Sequence, residues 1–344
     1  MQNKKHLLVI RMSAMGDVAM TVPVIKTLLS QHPNLKFTVV SKAFLRPLFD
    51  GIENVDFYAA NTTGKHKGTI GIYKLYKELK KLKIDAVADL HNVLRSKLLR
   101  TLFKIDGTPT AFIDKGRAEK KALTALKNKV FKPLKSTHQR YADVFAKLSY
   151  AINLSTSSSL KEKEELSKEL KALIDYQPLE KIIGIAPFAA HEGKKYPLEL
   201  MEEVINELAK NYKILLFGGG ASETTALTEI SKKYKNTFCV AGKVKLKEEL
   251  SLISNLALMI SMDSGNGHFS ALFGVPTISI WGATHPYAGF TPFLQDKNCI
   301  CANREQFPLL PTSVYGNKII PNYQRVMYSI APKIIIQKAL SLLK

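Results

Sequence analysis

Acidic residues are scarce in this chain. Its 344 residues carry 29 Asp and Glu against 50 Lys and Arg, a formal charge of +21. Cysteine is scarcer still, with only Cys239, Cys299 and Cys301. Their odd number and lack of paired metal-ligand spacing exclude a disulfide framework and leave ordinary reduced thiols. No apolar run approaches the roughly 20 residues that span a bilayer, and the early HLLVI stretch is too short and too soon charged for a signal peptide. A cytoplasmic chain is expected. The dinucleotide fingerprint G-x-G-x-x-G is missing, since the first strand-to-helix turn holds only Gly16, which disfavours a nicotinamide-dependent dehydrogenase. A D-x-D pair is absent near the strand-end loops, so no obligatory metal or other cofactor is expected.

The positive charge is unevenly placed. Residues 1–172 hold 32 basic against 15 acidic side chains, or +17, whereas residues 173–344 hold 18 against 14, or +4. Such a field fits nucleic acid, an anionic membrane surface or a polyanionic substrate, or it is a solvated lysine-rich face. Nucleic acid is disfavoured, because no groove-reading motif or aromatic stacking platform is evident.

Apolar runs alternate with helical patterns throughout. HLLVIR, KFTVVS and DAVADLH read as strands, with helices from Val18 to Gln31 and over IYKLYKELKKLK between them. After a Ser/Thr run and a charged helix the alternation resumes. KIIGIAPFA, YKILLFGGG, TFCVAG, LALMIS and PTISIWG read as strands; LELMEEVINELAK, ETTALTEISKKY, LKEELSLISN and HFSALFG read as helices. This pattern predicts two α/β domains with parallel, doubly wound sheets. The expected limits are 1–160 for the first domain, 161–180 for a linker and 181–324 for the second domain. A carboxy-terminal helix over 325–344 is expected to pack back on the first domain.

In such sheets ligands sit beyond the carboxyl ends of the strands, and three loops there carry suitable groups. In RMSAMGD, Asp17 is either a helix cap or a general base. In APFAAHEGKKYP, Lys194 or Lys195 could neutralise a diphosphate, or both are solvated. In FGGGASE, Gly218 and Gly219 permit close approach or merely turn the chain, and Glu223 could bond a ribose or base. The stretch MISMDSGNGHFSALFGVPTISIWGATHP adds Asp263, Ser264, Gly265 and His268 at a helix start, where free N–H groups favour an anion.

Together SAMGD, KKYP, FGGG and this last stretch resemble the lipopolysaccharide heptosyltransferases of glycosyltransferase family 9. The D-[ST]-G-x-x-H pattern followed by G-V-P and W-G-x-T-x-P is the most specific part. The resemblance implies the glycosyltransferase B architecture, two Rossmann-like domains facing a cleft, the first for the acceptor and the second for the nucleotide sugar. It implies that Asp17 is the catalytic base, that Ser13 lies in the loop facing the donor, and that Lys194 binds phosphate. Asp263, Ser264, Gly265 and His268 match the donor motif. The ribose-binding glutamate of some members has no exact counterpart; Gly220 takes its place in one alignment and Glu223 stands three residues on. His138 matches a position near the acceptor, and Lys65, Lys67 and Arg140 lie in the basic segments of the acceptor domain. The implied reaction is inverting transfer of a heptose from ADP-heptose to an anionic glycolipid at the inner face of the cytoplasmic membrane. A same-fold transferase using another nucleotide sugar, or a nucleotide-sugar epimerase, is the alternative; the basic half speaks against the epimerase, whose small substrate needs no such surface.

Overall fold

Strands buried on both faces are apolar along their whole length, and this pattern recurs twice in the computed structural model, which describes residues 4–155 and 160–344. The chain divides into two compact units, Met1–Lys115 with Thr137–Leu160, and Gly116–Ser136 with Lys161–Lys344.

The first unit runs β1 (Lys5–Ile10), α1 (Met15–Ala19), α2 (Thr21–Gln31), β2 (Leu35–Ser41), β3 (Val55–Ala59), α3 (Gly68–Lys80), β4 (Ala86–Asp89), α4 (Leu94–Ile105) and β5 (Thr110–Phe112). After α5 (Arg117–Leu123), which is counted with the second unit, α6 (Thr137–Ala146) returns to the first. All strands are parallel, in the order β3-β2-β1-β4-β5, with Leu7 paired to Phe37 on one side and to Ala86 on the other. Chain order therefore reverses between β1 and β4, which makes their carboxyl ends the switch point. Leu8, Ile10, Val87, Leu75, Leu99 and Phe103 pack one face of the core beneath α3 and α4. The helix expected from Val18 is two helices instead, because Met20 sits between α1 and α2 as the cap of both.

The second unit continues with α7 (Lys168–Leu173), β6 (Ile182–Ala186), α8 (Leu198–Leu208), β7 (Lys213–Leu216), α9 (Ala221–Lys233), β8 (Thr237–Cys239), α10 (Leu246–Ser254), β9 (Leu258–Met262), α11 (Gly265–Leu272), β10 (Thr277–Trp281), β11 (Cys299–Cys301) and α12 (Pro332–Leu343). Its six parallel strands are ordered β11-β10-β9-β6-β7-β8, so the switch point lies between β6 and β9. Both sheets match the glycosyltransferase B architecture expected above.

Three expectations about boundaries are corrected. Residues 116–136, placed in the first domain, belong to the second unit: Lys129 Nζ donates to Pro311 C=O at 2.8 Å, and the Leu134 N–H donates to Tyr287 C=O at 2.9 Å. The segment 161–180 is not a free linker either. Lys161 N–H donates to Leu272 C=O at 2.6 Å, and Glu180 pairs with Lys213 at 2.7 Å. Finally, α12 packs on α8 and β9 of the second unit, because Ile335, Ala339 and Leu343 at four-residue spacing form one apolar stripe that is buried there. Residues 156–159, in the Ser/Thr run that closes the first expected domain, lie outside the described residues.

Candidate functional site

Each unit concentrates chemistry at its own switch point. In the first, Arg11 follows β1 and is buried, with Nη1 donating to Leu90 C=O at 2.7 Å and Nη2 lying 2.6 Å from Asp17 Oδ2. Asp17 stands in the first turn of α1, and its Oδ2 also accepts from the Ala14 N–H at 3.2 Å, which closes the helix start. These contacts to the carboxylate converge on Oδ2, and 26% of the Asp17 side chain remains exposed. The Tyr141 hydroxyl donates to Asp17 C=O at 3.2 Å and fixes the turn from α6. Burial works against the charge on Arg11, but Tyr141 and Asp17 more than offset it and hold the guanidinium above its ordinary range. Burial also pushes the Tyr141 phenol well up, so it stays neutral.

Across the switch point, His91 follows β4 with Nε2 3.5 Å from Ser13 Oγ. Burial first, then the neighbouring Arg11 and Lys115, push its pKa down to about 4, so the ring is neutral near pH 7. Its Nδ1 is buried and takes no hydrogen bond among the described residues. Fully buried Asp89 holds this loop: Oδ1 accepts from the His91 and Asn92 N–H groups at 3.0 and 2.8 Å, and Oδ2 pairs with Arg100 at 3.0 Å.

In the second unit, Lys194 ends a short 3-10 turn after β6, and Asp263 follows β9. The Lys194 ammonium lies 2.8 Å from Asp263 Oδ2, off the line of a well-formed hydrogen bond, and donates to the Asp263 C=O at 3.3 Å. The turn that carries Lys194 is built on close backbone approach. Gly193 N–H donates to Gly316 C=O at 3.2 Å, and Gly193 C=O accepts from Ala283 at 2.8 Å. Gly316 has φ +75°, and a Cβ there would lie 2.5 Å from Lys194 Cγ. Ser264, extended at φ −146°, precedes α11, and its Oγ is buried without a hydrogen bond. The N–H groups of Gly265, Asn266 and Gly267 open the helix with no intrahelical acceptor. Gly267 is required where α11 meets β9, since a Cβ would stand 2.6 Å from Ser261 Oγ. An ammonium beside a helix amino terminus is a receptor for a phosphate or diphosphate.

The remaining candidates are dispersed. His268 is buried on α11. Lys195 is drawn to Glu192 on the surface, which leaves Lys194 as the inward lysine. Glu223 accepts from the Gly219 N–H at 2.8 Å and so closes its own loop after Gly218, with Gly220 at φ +83°. His138 and Arg140 are buried on α6, and Arg140 donates to Asp114 C=O at 3.3 Å. Lys65 pairs with Glu78 of α3 at 2.5 Å, holding that carboxyl down to about 2 with help from Tyr58 and His66, whereas Lys67 is exposed. Arg11, His91, Asp89 and Tyr141 had no sequence signal as a group, because strand order and the packing of α6 bring them together. Thr284, inside a motif already noted, keeps a buried hydroxyl without a hydrogen bond at the end of β10. Among the described residues no cluster of His, Cys, Asp or Glu could hold a metal, and no helix is long and apolar enough to cross a membrane.

Known proteins resemble this chain in family and in fold. Residues 72–319 match glycosyltransferase family 9 (heptosyltransferase). The chain is 29% identical over 317 residues to lipooligosaccharide heptosyltransferase 2 of Haemophilus influenzae, covering 86% of this chain and 88% of that one. Among solved structures it is similar to a family 9 glycosyltransferase from Veillonella parvula, at TM-score 0.75, 20% identity and coverage of 100% and 98%. It is also similar to the E. coli ADP-heptose lipopolysaccharide heptosyltransferase II, at TM-score 0.67, 21% identity and 98% of both chains.

Proposed function

The chain belongs to glycosyltransferase family 9, the heptosyltransferases, and on that footing we propose that it moves a heptose from ADP-heptose to a lipopolysaccharide core or related anionic glycolipid, inverting the anomeric centre. The observation that carries this reading is the placing of Lys194 beside the open amino terminus of α11 at the β6/β9 switch point. The sugar's diphosphate is the ligand that fits there. Ser264 and Gly265 donate to it, His268 adds a polar group, and Asp263 steers the Lys194 ammonium. Gly218, Gly219 and Glu223 lie at the neighbouring end of β7 and take the nucleoside.

In the first unit, Asp17 Oδ1 accepts the proton of the acceptor hydroxyl as that oxygen attacks the anomeric carbon and the ADP leaves from the opposite face. Negative charge grows on the leaving phosphate and positive charge on the sugar ring, as in other oxocarbenium-like transfers. Lys194 and the α11 amides stabilise the former. Arg11 keeps Asp17 oriented, and Ser13 with neutral His91 borders the reacting hydroxyl. Lys65, Lys67, His138 and Arg140 serve the anionic acceptor. No metal is obligatory. The enzyme works in the cytoplasm, bound peripherally to the inner face of the membrane through its basic half.

The test offers the protein a panel of nucleotide sugars and follows thermal stabilisation, where ligand at 100 times Kd adds about 2.7 kcal/mol. ADP-heptose should stand out, and with acceptor present the product should carry the opposite anomeric configuration by NMR. Stabilisation by a different nucleotide sugar alone would transfer the reading to that donor; retained configuration would refute the role of Asp17.

A further inference from the structure

Among the described residues, the most exposed large apolar side chains of the first unit are Leu94 at 85%, Ile105 at 77% and Ile70 at 73%. Two of them share one end of the fold. Helices α3 and α4 both lead the chain away from the carboxyl ends of parallel strands, so both begin at that end. Their crossovers proceed in the same direction across the sheet, which puts both helices on one face, where they pack together. Ile70 and Leu94 therefore stand on neighbouring first turns, with half-exposed Tyr73 one turn along α3.

These side chains have no structural duty of their own. The core is served by the opposite stripes, Ile72, Leu75 and Leu79 on α3 and Leu99 and Phe103 on α4. Around the exposed group lie Lys67, Lys74, Arg95 and Lys97, all exposed. Helix α4 contains no acidic residue, and residues 65–105 hold 11 Lys and Arg against Glu78, Asp85 and Asp89. Of these three acids, Glu78 is paired with Lys65, Asp85 with Lys5 and Asp89 with Arg100.

We propose that the first turns of α3 and α4 form a membrane-docking face that inserts Ile70 and Leu94, with Tyr73 at the interface, into an anionic bilayer. This rests on the glycolipid reading above and deepens it: attachment is apolar insertion steered by charge, and it presents the carboxyl end of the first sheet, with Asp17 and His91, to the bilayer surface. Apolar side chains ringed by cations match the boundary between acyl chains and anionic headgroups, where the lysine stems can lie flat with their ammonium groups in the headgroup layer. A second copy of the chain does not fit this face, since it would oppose two strongly basic surfaces without counter-charge. Charge attraction alone reaches only about 8 Å at physiological salt, whereas an inserted side chain is indifferent to screening.

The experiment uses the full-length enzyme and vesicles of phosphatidylglycerol with phosphatidylethanolamine, beside vesicles of phosphatidylcholine alone. Trp281 is the only tryptophan in the sequence and is 1% exposed, so Leu94→Trp introduces a distinguishable reporter. Its emission should shift to the blue on anionic vesicles and keep that shift in the bound fraction as salt is raised. The double variant Ile70→Glu, Leu94→Glu should partition at least tenfold less while its thermal unfolding and its turnover of a water-soluble, lipid-free acceptor stay as in the parent. Binding without a blue shift would show attachment by charge alone and overturn the proposal, as would unchanged partitioning of the double variant. So would a concentration-dependent dimer that the double variant abolishes in the absence of lipid. Failure of the parent to use any glycan acceptor would instead refute the transferase reading, because vesicle partitioning is read without turnover.

Discussion

Replacing Asp17 by Asn perturbs structure as well as catalysis, more than its position in a helix turn implies. As a plain helix cap, Asp17→Asn would be nearly silent for stability. The structure makes it otherwise. Arg11, with only 8% of its side chain exposed, has its Nη2 2.6 Å from the carboxylate, and Asn removes the balancing charge. Breaking a fully buried pair costs about 3–5 kcal/mol. Here 26% of the Asp17 side chain is exposed and the Arg11 bond to Leu90 survives, so roughly 2 kcal/mol is expected. For a unit of this size that is a fall in Tm of about 6 °C. Turnover should drop by roughly 10²-fold or more through loss of the base. Adding Arg11→Met to Asp17→Asn removes the stranded charge and should restore most of the stability and none of the turnover. Calorimetry on the parent and the two variants beside initial rates with a soluble acceptor makes the comparison. An Asp17→Asn enzyme with parental Tm would refute the buried-charge argument, and one with parental turnover would refute the base.

Lys194→Ala should weaken ADP by about tenfold to a hundredfold while leaving adenosine within about twofold, as titration calorimetry would show, because a charge-assisted bond to phosphate is worth about 1.5–3 kcal/mol. Equal losses would place Lys194 in folding alone. Gly316→Ala, at φ +75° and with its Cβ 2.5 Å from Lys194 Cγ, should cost about 1–2 kcal/mol of stability and weaken ADP without altering the Lys194 ammonium itself; unchanged ADP affinity would mean that Lys194 needs no such support. Burial holds three histidines below their ordinary range, His6 among them, and His91 and His285 contribute most to an acid limb. His91 and His285 are both held down to about 4 by burial foremost, so the unfolded chain binds more protons between about pH 4 and 6.5. Their contribution is complete above pH 6.5 and is lost as pH falls through the folded values. Denaturant unfolding at pH 7 and pH 5 should show the decline, and His91→Gln with His285→Gln should flatten it; an unaltered slope would refute the assignment.

The glycine-containing start of α11 was legible because everything that defines it is local: an apolar run, a serine at the helix start and glycines that follow within five residues. The same holds for Asp17 and for Lys194, each a short step past a strand. Strand β3 was not legible, since it lies at a sheet edge, alternates poorly and is only half buried. Strands β5 and β11 are three residues long and carry no period at all.

Alternating apolar runs and helical stripes, with the unequal charge of the two halves, were sufficient to determine two parallel α/β sheets and the loops that hold the candidate groups. A buried parallel strand announces itself through its own composition, and a strand-end loop through its immediate neighbours. Which loops share a switch point was decided only by strand order, which sets β1 beside β4 and β6 beside β9 and so brings His91 to Ser13 and Lys194 to Asp263. Tertiary packing likewise assigned α12 and residues 116–136 to the second unit. An amphipathic stripe specifies that a helix must be covered, and only the surface that covers it specifies where.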